Sequence, residues 1–198
     1  MTADRRTDIG SRGVVVVGGA YLVQGLVGAV GVLLLFRLAL VGVSLEEQGG
    51  ILASGAIPWV LKFVVAVLLD LGPSWPLRVR MLLLTGLQAG AAACVWALAQ
   101  AFPEAGPPSG VLTIALGWFA LNLCAAAQDV IVDALALDTL ADRRPATASA
   151  MGVGGALGMY VLGMWLTGAR IDAVGVAAGL LWPVGWIAAL SLLPIALL

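Results

Sequence analysis

Long stretches without a charged residue alternate with short polar breaks along the chain. Residues 13–36, 81–103, 105–128, 145–169 and 173–198 each run at least 23 residues without Asp, Glu, Lys or Arg, and 51–69 is interrupted only by Lys62. A helix crosses a bilayer with about 20 apolar residues. Only helices and closed barrels satisfy their backbone in lipid. These stretches are about twice the length of barrel strands and lack strand alternation. The pattern predicts an all-α integral membrane protein. Six spans are expected, at about 14–36, 51–69, 81–102, 110–141, 148–168 and 174–198, the fourth leaving the bilayer near its end. Residues 1–13 read as a cytoplasmic amino-terminal segment ahead of a bundle over 14–198. Helix breakers fall between spans: Pro73 and Pro76, then Pro103, Pro107 and Pro108, then Pro145. Pro183 and Pro194 lie inside the last span and predict kinks there.

Composition agrees with lipid as the solvent. The chain of 198 residues is 62% hydrophobic and 11% charged, against about 45–50% and about 25% in soluble domains. A net charge of −1 gives no basic field for nucleic acid. Histidine is absent, which excludes His-ligated metals, His general bases and Ser-His-Asp triads. Cys94 and Cys124 form no metal-ligand cluster and read as small apolar residues of packed helices. No metal or cofactor is expected, and no enzyme activity. Glycine is abundant, at 26 residues. The glycines of spans one and five read as close-packing positions, or as places where helices slide or hinge in a transport cycle.

Orientation follows the arginines. Arg5, Arg6, Arg12, Arg78, Arg80, Arg143 and Arg144 fall on one side, and only Arg37 and Arg170 on the other. The amino terminus, the 2–3 loop and the 4–5 loop are therefore expected in the cytoplasm, with the carboxyl terminus on the same side. The first apolar run is longer than a signal core and reads as a retained span.

Ionisable residues at membrane depth are costly and mark candidate functional sites. Lys62 lies roughly 12 Å from the inner end of its helix, at about 1.5 Å per residue. It calls for a buried acid. The fourth helix offers Gln128, Asp129, Asp133 and Asp138; Asp129 and Asp133, four apart, share one face. A helix ending near Ala141 would match Lys62 in depth to Asp133, with Asp129 about 6 Å deeper. The expectation is a Lys62–Asp133 or Lys62–Asp129 pair. Such a pair either only joins helices two and four, or takes part in proton or anion handling. Catalysis by the two acids fits worse than ion pairing beside a lysine. Tyr21 and Gln24 in span one and Asn122 in span four read as interhelical hydrogen-bonding groups or solute contacts. Asp70, Arg78 and Arg80, with Asp138, Asp142, Arg143 and Arg144, form acid–arginine clusters at the cytoplasmic ends. They either latch helices or simply signal topology. The seven tryptophans read as interfacial anchors, or as a helix-docking surface.

Several segments resemble AmpG-type permeases of the major facilitator superfamily, over their amino-terminal six-helix half. These are Tyr21-Leu-Val-Gln-Gly25, Gly42-Val-Ser-Leu-Glu46, Ile57-Pro-Trp-Val-Leu-Lys-Phe63 ending in Leu69-Asp70, Ala126-Ala-Gln-Asp-Val-Ile-Val-Asp-Ala134, and the glycine-rich stretch 152–159. They keep family order from about residue 21 to 165. The resemblance implies alternating-access transport. AmpG-type members import anhydro-muropeptides with the proton gradient, and relatives move acetyl-coenzyme A. It implies Gln24, Lys62, Gln128, Asp129 and Asp133 as cavity residues, and Asp70 with Arg80 as a cytoplasmic gate. The chain departs from the family in having six spans rather than about twelve. Leu71 stands where a basic residue is usual, and Asp142-Arg-Arg-Pro145 where Glu-Arg-Gly is usual. The expectation is therefore a half-size secondary transporter of a bacterial inner membrane. It would be proton-coupled, acting on a polar or anionic solute with a second six-helix chain or as a homodimer. The alternative is a non-transporting membrane subunit or assembly factor on the same scaffold.

Overall fold

In a computed structural model, residues 3–71, 75–102, 110–138 and 145–198 are described. All elements among them are helical: α1 (Ala3–Leu40), α2 (Leu45–Val60), α3 (Lys62–Leu71), α4 (Leu77–Ala101), α5 (Val111–Ala136), α6 (Pro145–Ala150), a π-turn (Met151–Gly155), α7 (Ala156–Val174), α8 (Val176–Ser191) and α9 (Leu193–Ala196). Six segments are long and apolar enough to cross a membrane: Arg12–Leu40, Leu45–Leu68, Leu77–Ala101, Val111–Ala136, Met151–Val174 and Val176–Ala196. The fold is the expected all-α bundle of six spans. The amino-terminal segment is helical from Ala3 and continuous with span one.

Local chemistry sets the element ends. Gly42 takes φ +83° after α1, a conformation that costs a Cβ-bearing residue. Ser44 then caps α2: its hydroxyl accepts from the Glu47 N–H while the Glu47 carboxylate accepts from the Ser44 N–H. This capping box satisfies two orphan donors, and Glu46 and Glu47 favour the positive helix end. Gly175, at φ +86°, is the sole residue between α7 and α8. The second span is not one helix. Pro58 removes a helical donor, and the chain breaks at Leu61 before restarting at Lys62. A similar break at Leu192 precedes Pro194, whereas Pro183 sits within an unbroken α8.

α1 is the centre of the bundle. It packs along α7 and against α5 and α8, while α5 packs on α2 and α4, and α4 and α7 pack on α8. Half of the first span is buried, against 17% of the second and 11% of the fifth. Without a hydrophobic drive in lipid, close approach depends on small residues. At Gly25 an added Cβ would lie 2.8 Å from Cβ of Met159 and 2.9 Å from the Tyr160 nitrogen. Cys94 and Cys124 are free thiols within hydrogen-bonding reach across the α4–α5 contact. Trp96, Trp165 and Trp186 are exposed on the outer surface.

Candidate solute cavity and ion-pair network

The α5 helix supplies four polar side chains to neighbouring helices: Asn122, Gln128, Asp129 and Asp133. Asp129 and Asp133 lie one turn apart on one face. Tyr21 and Gln24 lie three apart on α1, which runs opposite to α5. The two pairs therefore meet in register. The Tyr21 hydroxyl donates to Oδ1 of Asp133 at 3.0 Å, and Nε2 of Gln24 donates to Oδ1 of Asp129 at 2.8 Å. The other Asp129 oxygen accepts from the Lys62 ammonium at 3.0 Å. Asp129 thus ties α1 to the restart of the broken second span.

The ion pair joins Lys62 to Asp129 rather than to Asp133. Regular α-helix in span four stops at Ala136, short of the Ala141 end assumed from sequence, so the matching depth moves up one turn. Asp133 accepts from Tyr21 instead. The lysine side chain is 44% exposed and Asp129 only 14%. Lys62 also lies 5.8 Å from the Trp59 ring centroid, within cation–π range. The Trp59 indole N–H donates to Asn122 Oδ1 at 2.9 Å, and the Asn122 amide donates to the Trp118 carbonyl at 2.9 Å.

Beside this network is a cavity of about 470 Å³, within the range of about 300–1,000 Å³ usual for small-molecule sites. Its walls come from four spans and include Gln24, Trp59, Trp118, Asn122 and Tyr160. Glycines on α1 make the room: a Cβ on Gly28 would press on the Tyr160 ring at 3.1 Å. Gln24 joins cavity to ion pair. Gln128 has another task. It is fully buried and donates to the Ala20 carbonyl at 2.8 Å, clamping α5 to α1.

At the end of α5 nearest Asp138, Arg80 of α4 forms an ion pair with Asp138. Arg78 is exposed. Asp70 falls in α3, and Arg143 lies outside the described residues. No group of three metal-ligating acids or cysteines occurs among the described residues.

Sequence reasoning did not single out Trp59, Trp118 or Tyr160. A signal existed for the first two. Trp118, Asn122, Asp129 and Asp133 are spaced by four, seven and four, which is one helix face. Gly55, Trp59 and Lys62 likewise follow at four and three.

Among known proteins, no family model and no solved structure matches the chain. It is similar to a folate-biopterin transporter of Synechocystis sp., with 30% identity over 162 residues, covering 74% of this chain and 30% of the relative. The chain thus spans less than a third of that relative's length. The similarity and the six apolar helices support a multi-pass membrane protein related to membrane transporters.

Proposed function

We propose that the chain is one six-helix lobe of a facilitator-type secondary transporter. Its solute is anionic and ring-bearing, a description that includes folates and pterin carboxylates, and Lys62 receives the acid group. The observation that carries this is the Lys62–Asp129–Gln24 cluster, which reaches an aromatic-walled cavity through Gln24 and through Trp59, the ring beside Lys62. A purely structural ion pair has no need of a half-exposed ammonium against a cavity-lining indole. An incoming carboxylate can share Lys62 with Asp129 without creating an unpaired charge. Tyr160, Trp59 and Trp118 put three aromatic rings in the cavity lining, suited to a flat solute. The named function of the Synechocystis relative supports such a solute. The AmpG-type resemblance supports the same transport mode with a different cargo.

Proton coupling belongs in this reading to Asp133. Its partner is a neutral hydroxyl, so taking up a proton there leaves no cation stranded. The exposed second and fifth spans support pairing with a second six-helix unit, another chain or a second copy, in a bacterial inner membrane. Arg80 and Asp138 act as a latch at the cytoplasmic end, with Asp70, Arg78 and Arg143 nearby in sequence.

The test is accumulation of radiolabelled folate and pterin-6-carboxylate by cells producing the chain, with and without a protonophore. Wild type should accumulate label and lose it with the protonophore. Lys62→Ala should abolish uptake. Asp133→Asn should retain exchange but lose accumulation. Wild-type accumulation in both variants overturns the proposal.

A further inference from the structure

Gln24 and Trp59 in the lining carry the cavity to the Lys62–Asp129 pair, and Trp118 lines it farther along α5. Eleven residues of α5 separate Asp129 from Trp118, about 16 Å of helix. There the cavity lining includes Trp118, Leu35 and Leu52. The Trp118 indole occupies a slot that only glycine allows. A Cβ on Gly55 of α2 would lie 2.6 Å from its Cδ1, and one on Gly31 of α1 would lie 2.9 Å from its Cζ3. Contacts under about 3 Å to a rigid ring force displacement. Asn122, one turn along α5, donates to the Trp118 carbonyl and is itself tied to Trp59. The ring is therefore wedged between the first two spans, with its backbone held from below.

We infer that Trp118 is a specificity-determining residue: it is the end wall of the cavity and sets the length of solute accepted from the Lys62 end. This deepens the transporter reading above and rests on its placing the acid group at Lys62. A wall made of a fixed ring discriminates by overlap. A solute one ring too long must either dislodge the indole or leave its own carboxylate short of Lys62.

The experiment uses the full chain in lipid nanodiscs and two probe series, each growing by one phenyl ring. The acids are benzoate, biphenyl-4-carboxylate and p-terphenyl-4-carboxylate; the amides are their neutral counterparts. Dissociation constants come from ligand-induced thermal shifts. Wild type should bind the biphenyl acid best and the terphenyl acid at least about tenfold more weakly. Trp118→Ala should remove that penalty, and Trp118→Phe should halve it on a logarithmic scale. Trp118→Phe decides the matter if Trp118→Ala fails to fold. Identical length preference in wild type and both variants overturns the inference, as does binding of no probe by any of them. If amides keep the length cut-off but acids bind no better than amides, the end wall stands and the Lys62 reading falls. Gly55→Ala, which pushes the indole from its slot, should shift the cut-off without changing the residue at position 118.

Discussion

Removing either partner of the Lys62–Asp129 pair should cost stability unequally. Lys62→Met leaves a carboxylate that is 14% exposed, still hydrogen-bonded to Gln24 but with no cation. Stranding a buried charge costs about 3–5 kcal/mol. Residual exposure and the Gln24 bond reduce this to about 2 kcal/mol. Asp129→Asn leaves an ammonium that is 44% exposed on a flexible stem able to reach the interface. That setting resembles a surface pair, worth about 0–1 kcal/mol. The asparagine still accepts from Gln24. The double variant should then be less destabilised than the sum of the singles, because neither charge is stranded; a coupling of about 1 kcal/mol is expected. Unfolding in mixed micelles of rising SDS fraction measures all four proteins. The reasoning is refuted if Asp129→Asn costs more than Lys62→Met, or if the two losses simply add.

Other consequences follow from the same geometry. Gly25→Val, which drives a branched Cβ into Met159 and the Tyr160 backbone, should cost about 1–3 kcal/mol; Gly86→Ala, which meets nothing within 4 Å, should be neutral or stabilise by up to about 1 kcal/mol. Both are read from thermal unfolding in nanodiscs. Gln128→Leu should lose about 1 kcal/mol with the α1–α5 clamp and leave ligand binding in the cavity unchanged, separating this amide from the cavity. Arg80→Ala should change stability by less than about 1 kcal/mol, since Asp138 is mostly exposed, yet lower the proposed uptake several-fold if the pair acts as the latch.

Spans were legible because lipid imposes one simple rule: a long apolar run must be a helix. The acids of span four and the lysine of span two were legible because charge at that depth demands a partner. Which acid pairs with Lys62 was not, because the answer turns on where α5 stops being regular. That end lies in a stretch with no apolar boundary to mark it. The break at Leu61 was hidden because, Lys62 apart, residues 59–69 are apolar and none is a turn former. Pro58 was the available sign. The role of Gln128 was hidden for a different reason. Whether a buried amide faces a cavity or a carbonyl depends on helix rotation, and a helix apolar on all sides gives no moment to fix rotation. The aromatic walls were obscured by abundance, since tryptophans at the lipid interface and in a cavity look alike in sequence.

The central position of α1 has a bearing on biogenesis. α1 leaves the ribosome ahead of its main packing partner, α7, which follows only after the three intervening spans have been threaded into the bilayer. Until then its glycine stripe, including Gly25 and Gly28, faces acyl chains that cannot fill it. Early in synthesis the helix is therefore held by its own hydrophobicity alone. Arrest of translation after the fourth span should leave α1 open to capture by an insertase or to extraction by a membrane protease, and release of the fifth span should end that exposure.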